Sequence, residues 1–154
     1  MKIFFLPFFK INKKFARSVK WERCNDSAWF EMTTTTERRP IYRKYANLYF
    51  SIGDDSYKLT AFQPQSLFQK AGWGNYLFIP FGDESNGNQT YGGGRYIEIR
   101  LDLGKEQVLL DFNKSYNPYC AYSERYSCPK IPIENILDIK INAGVKYPAN
   151  KYHH

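Results

Sequence analysis

The sequence predicts an all-β domain whose antiparallel strands curl into a small barrel or sandwich and carry two long ordered loops. Three observations predict it. The 154 residues include 13 Tyr and 12 Phe, rings that pack well on a pleated, half-buried surface. Short segments alternate apolar and polar residues with period two and are separated by turn residues. No segment after residue 45 shows the three-to-four spacing of an amphipathic helix. The length suits one domain with a substantial core.

Residues 1–28 read as a basic, solvated leader. Residues 1–44 hold 11 Lys/Arg against 4 Asp/Glu, whereas residues 45–154 hold 11 against 11, so the net charge of +7 belongs to the N-terminal part. A like-charge block of this kind is usually a tail, and the balanced body argues against nucleic-acid binding. Met1–Phe9 is apolar apart from Lys2, but Pro7 breaks it and Lys10, Lys13, Lys14 and Arg17 follow where a cleavage site should lie. It is also far shorter than the roughly 20 apolar residues of a membrane span. A cytoplasmic location is the expectation, with export through an altered or truncated signal as the alternative.

Residues 29–150 form the expected β-rich domain. Leu48, Phe50 and Ile52 share a strand face, Gly53-Asp54-Asp55-Ser56 turns the chain, and Tyr57, Leu59 and Ala61 return it as a hairpin. Residues 64–75 read as a connecting loop or a single helical turn. Tyr76–Phe81 is a compact strand whose Pro80 points to a sheet edge or a strand end. Ile97, Ile99 and Leu101 alternate with Tyr96, Glu98 and Arg100, and Gln107–Phe112 returns them as a second hairpin. Leu137, Ile139 and Ile141 face inward on a last strand, 136–141, with Asp138 and Lys140 outward. The tail 151–154 ends in His153-His154, which looks like the remnant of an affinity tag.

The chemistry concentrates between residues 83 and 135. The first loop runs from Asp83 through Glu84, Asn86, Thr90 and Tyr91 to Gly92-Gly93-Gly94-Arg95. Its glycines precede a strand rather than a helix, so they are not a phosphate-cradling loop; they permit a positive φ or a close backbone approach. Asp83 and Glu84 are candidates for acid/base or metal-ligand roles, with turn formation as the plainer reading, and Arg95 offers a planar fork for a carboxylate. The second loop follows Asp111 and Asn113, which share one strand face, and contains Tyr116, Asn117, Cys120 and Tyr122. It closes on Cys128-Pro129, where Pro129 and Pro132 brace the chain.

Three cysteines, Cys24, Cys120 and Cys128, make no disulfide framework, although the last two could pair if their Cα atoms come within about 7 Å, and free thiols are the expectation in a reducing compartment; their spacing fits neither a redox Cys-x-x-Cys nor a zinc knuckle. No His precedes residue 153. That absence removes His-assisted nucleophiles and histidine metal sites from the domain, and neither a metal nor a cofactor is expected. A Cys120 nucleophile would need a cationic neighbour such as Arg125 or Lys130 to lower its pKa.

From Trp29 onward the chain resembles a bacterial family known as domain of unknown function 1684. The resemblance rests on Phe30-Glu31-Met32 with the four threonines after it, Phe78-Ile79-Pro80-Phe81-Gly82-Asp83, Thr90-Tyr91-Gly92-Gly93-Gly94-Arg95-Tyr96, Tyr116-Asn117-Pro118-Tyr119-Cys120-Ala121-Tyr122, Cys128-Pro129 and Glu134-Asn135. It implies no established activity. It does imply that the 83–96 loop, the 111–122 loop and the Cys128-Pro129 turn form one recurring set.

Two functional readings stay open beside a structural one, in which each of these groups only satisfies its neighbours where the loops cross. One is a non-enzymatic module that binds a small polar or anionic molecule through Tyr91, Arg95, Asp111, Asn113, Tyr116, Asn117 and Tyr122. The other is a hydrolase-like enzyme with Cys120 as nucleophile and Asp83, Glu84 or Asp111 as acid, base or metal ligand.

Overall fold

In the computed structural model, residues 7–147 are described. They form one antiparallel sheet that curls into a half-barrel. The strands are β1 (Ala16–Arg23), β2 (Phe30–Glu31), β3 (Ile41–Ile52), β4 (Asp55–Pro64), β5 (Tyr76–Phe81), β6 (Arg95–Arg100) and β7 (Gln107–Asp111). Their order across the sheet is β6-β5-β4-β3-β1-β7, with the short β2 beside β3. The predicted first hairpin is β3–β4, turning at Gly53 with φ +62°; the second does not form, because β6 pairs with β5 and β7 with β1, at opposite ends of the strand order. Residues 65–68 make the single helical turn, α1 (Gln65–Phe68).

Two apolar layers sit on the two faces of the sheet. Inside the curl, Leu48, Leu59, Leu77, Ile79, Phe81, Ile97 and Leu110 pack with Phe15, Val19 and Phe112. On the outer face Phe62, Phe78 and Tyr96 pack against Met32 and Cys128, which belong to loops laid over the sheet. Those covering loops build the candidate site.

Residues 16–23, expected within a solvated leader, form β1 instead. It pairs with β3 on one side and β7 on the other. Its basic Arg17 and Lys20 are both exposed while Val19 enters the core; Lys20 lies on the outer face, whereas Arg17 shares the face of Val19 and carries its guanidinium out to the rim, where it donates to Ser51 O at 2.8 Å. The segment 136–141, expected as a last strand, runs beside residues 82–84 without joining the sheet. Its burial alternates as expected, with Leu137 and Ile141 inside and Asp138 and Lys140 exposed. Its backbone, however, bonds locally: Leu137 N–H to Gly82 O at 2.8 Å and Ile141 N–H to the Asp83 carboxylate at 2.8 Å. Side chains and a neighbouring loop take the donors that a ladder would need.

Pro80 lies in a strand flanked on both sides, and the β4–β5 ladder is interrupted there; Phe62–Phe78 is its paired register position. The fully buried Asn135 side chain fills the gap. Its Oδ1 accepts from Thr60 N–H at 2.8 Å, and its Nδ2 donates to Thr60 O at 2.9 Å and to Pro80 O at 2.8 Å. An amide side chain thus replaces the backbone group that proline lacks.

Candidate functional site

The first loop folds onto its own Asp83. Asp83 Oδ2 accepts from Ser85 Oγ at 2.6 Å and Ser85 N–H at 3.2 Å, while Oδ1 accepts from Asn86 Nδ2 at 3.0 Å. Asn86 Nδ2 also donates to Thr90 Oγ1 at 2.8 Å, closing the turn. Besides Ile141 N–H, Asp83 accepts from Arg95, Nη2 to Oδ1 at 3.3 Å, with both side chains fully buried. Arg95 further donates to the carbonyls of Ile141 at 2.9 Å, Ala143 at 2.5 Å and Val145 at 3.2 Å, and to Ser115 Oγ at 3.3 Å. Burial pulls the Arg95 pKa below its ordinary value, and the Asp83 carboxylate offsets only part of that fall. Arg95 is therefore sealed as a clamp between the 83–90 loop and the 141–145 segment, with its fork used internally rather than offered to a ligand. Glu84, next in sequence, is exposed to solvent.

The second loop is also committed locally. Asp111 caps the turn after β7 by accepting from Asn113 N–H at 2.9 Å and Asn113 Nδ2 at 3.0 Å. Asn113 pairs like a strand residue with the backbone of Asn12, donating to its O at 2.9 Å and accepting from its N–H at 3.0 Å. Tyr116 donates to Glu98 at 2.7 Å, and Tyr76 donates to the same oxygen at 2.8 Å. Asn117 donates to the Tyr122 hydroxyl at 2.7 Å. The expected seven-residue binding set thus divides among separate contacts, because each polar side chain closes a loop of its own.

A cavity of about 340 Å³ lies where the two loops meet. Of the expected residues, Tyr91 and Cys120 line it. Gly92-Gly93-Gly94 form one wall, and the Tyr96 ring, Ile131 and Ile136 form others. Gly94 has φ +89°, and a Cβ there would lie 2.5 Å from Ile131 Cγ1 and 2.9 Å from Phe81 O. The close backbone approach expected of the glycines is what brings Ile131 against this wall. The Tyr96 hydroxyl donates to Pro129 O at 2.5 Å and ties β6 to the 129–136 segment.

Thr35, Asn86 and Lys130 supply polar groups, and Lys130 is the charged residue of the lining. Lys130 is exposed, and among the described residues no carboxylate comes within ion-pair distance of it. Sequence reasoning missed Ile131 and Thr35 as lining residues and considered Lys130 only as a neighbour of Cys120. The signal was present in Pro129 and Pro132, which hold that segment extended along the cavity rather than merely bracing the cysteine loop.

At Cys120 the thiol is protonated rather than activated. Burial pushes its pKa up to about 11, and hydrogen bonding to the Cys128 thiol adds to the rise. The Tyr91 phenol, in hydrogen-bond contact with Cys120, is pushed up to about 12, chiefly by burial. A shift this large leaves roughly one to two orders of magnitude less Cys120 thiolate at pH 8 than an ordinary thiol would have. Iodoacetamide should therefore label Cys120 in the folded protein at least about tenfold more slowly than in urea at that pH. Equal rates, read by peptide mass mapping, would contradict the assignment. Among the described residues no three His, Cys, Asp or Glu side chains gather as ligands for a metal ion, and no helix is long and apolar enough to cross a membrane.

The fold has a solved counterpart. The solution NMR structure of an uncharacterised protein of Haloarcula marismortui is 32% identical in sequence with a TM-score of 0.73, over 92% of this chain and 76% of that one. No curated protein matches the chain at a significant level. A family model described as a protein of unknown function, DUF1684, matches residues 4–146, so the matched region includes β1 as well as the loops that line the cavity. On that match the chain belongs to the DUF1684 family.

Proposed function

We propose that the protein is a non-enzymatic binding module whose cavity takes a small anion with a flat apolar body. The observation that carries this reading is a lone cation, Lys130, on a wall otherwise made of neutral groups. The rings of Tyr91 and Tyr96, with Ile131 and Ile136, offer apolar surface to a planar body, and Lys130 offers a counter-charge at the rim. The backbone of the triple glycine lets a ligand approach without side-chain obstruction. An enzymatic reading through Cys120 has the raised thiol pKa against it, and Asp83 and Asp111 are each held in internal hydrogen bonds.

The test compares benzoate with its neutral isostere benzamide by NMR titration. Benzoate should bind more tightly, and Lys130→Gln should weaken benzoate about two- to fivefold while leaving benzamide unchanged, as expected for one solvated ion pair. Equal affinities for the two probes, or no effect of the substitution, would sink the reading.

A further inference from the structure

The cavity has a second chemical feature beside its cation, a pair of thiols. Cys120 sits on a single 3-10 turn, Tyr119–Ala121, and its N–H donates to Cys128 Sγ at 3.2 Å. The Cys128 thiol is also near enough to help raise the Cys120 pKa. Thr35 fixes Cys128 by accepting its N–H at Oγ1, 3.2 Å, and by donating to its carbonyl at 3.0 Å. Cys128 is buried, whereas Cys120 is half-buried and lines both the main cavity and an adjoining one of about 430 Å³ that also holds Tyr126 and Glu124. Between the two cysteines, residues 124–126 are exposed. One sulfur is therefore reachable by a small reagent, with the other waiting behind it.

We propose that Cys120 and Cys128 are a modification site, a thiol pair that closes to an intramolecular disulfide by exchange with a low-molecular-weight disulfide. The Cys120 thiolate attacks one sulfur of the reagent, forming a mixed disulfide and expelling one thiolate. The Cys128 thiolate then attacks Cys120 Sγ and expels the second. Two protein thiols are oxidised, one reagent disulfide is reduced to two thiols, and both protons from the protein end on the released thiols. The new bond withdraws Cys120 Sγ from its contact with Tyr91, a residue of the cavity wall.

The probe is oxidised glutathione at pH 9, with non-reducing peptide mapping of the full chain. Wild-type protein should lose two hydrogens, join the Cys120 and Cys128 peptides, and keep Cys24 alkylatable. Cys128→Ser should instead accumulate a glutathione adduct on Cys120, and Cys120→Ser should leave Cys128 unmodified. Cys120 faces the Tyr91 phenol and the Cys128 thiol, with Lys130 and Glu124 lining its two cavities. While its thiolate limits the reaction, the rate should rise about tenfold per pH unit from 7 to 9. A lasting adduct in wild type, a bridge to Cys24, first attack at Cys128, or no reaction of the folded protein at pH 9 would overturn the proposal.

Discussion

Replacing Arg95 with methionine is expected to destabilise the fold by about 3–5 kcal/mol, the cost of leaving one partner of a buried ion pair uncompensated. In a chain of this size that lowers Tm by on the order of 10 °C. The loss has two parts. The Asp83 carboxylate keeps its bonds from Ser85, Asn86 and Ile141 but loses the opposing charge. The carbonyls of Ala143 and Val145 lose the donor that holds the 141–145 segment against the first loop. Arg95→Lys should fall between the two, since one ammonium cannot span both Asp83 and those carbonyls as the fork does. The Asp83→Asn, Arg95→Met double variant should lose less than the sum of its singles, because each single strands the charge that the other removes. Urea unfolding measures all four. If Arg95 were a ligand anchor, Arg95→Met would keep near-wild-type stability and lose benzoate binding.

Asn135→Ala is expected to cost about 2–4 kcal/mol, read from the same urea transitions. Three hydrogen bonds vanish from a fully buried position, and Thr60 N–H, Thr60 O and Pro80 O are left without partners at the break in the ladder. Asn135→Asp should be at least as damaging, because a carboxylate cannot donate to the two carbonyls that Nδ2 now serves. Pro80→Ala restores the backbone N–H at that point, so it should soften the effect of Asn135→Ala. Additive losses in the Pro80→Ala, Asn135→Ala double variant would contradict the filling role.

The parts of the fold that were legible are those where one physical signal decides the outcome. Leu48, Phe50 and Ile52 alternate without interruption, and β3 follows from them. β1 was hidden because its exposed Arg17 and Lys20 dominate the composition while Val19 is its one buried residue. Its strand character comes from two neighbours, β3 and β7, distant in sequence. Residues 136–141 carried a correct burial pattern and the wrong backbone, because a period of two reports which side chains are covered, not where N–H groups bond.

The site was legible in location and less so in membership. Tyr91 and Cys120 reach the cavity, whereas Arg95 is withdrawn by three carbonyls of residues 141–145. Carbonyls leave no mark on a sequence, so an arginine that satisfies them cannot be told from one that waits for a ligand. Lys130 was weighed only as a neighbour able to activate Cys120, because its place on the cavity wall depends on the extended path set by Pro129 and Pro132.

Amide mapping of the ¹⁵N-labelled protein during a benzoate titration locates the anion on the cavity wall or away from it. Shifts should concentrate at Gly92, Gly93, Gly94, Cys120 and Lys130, with the amides of Asp111 and Asn113 nearly unmoved. Shifts centred on Asp111 and Asn113, or spread evenly over the surface, would contradict binding at the cavity.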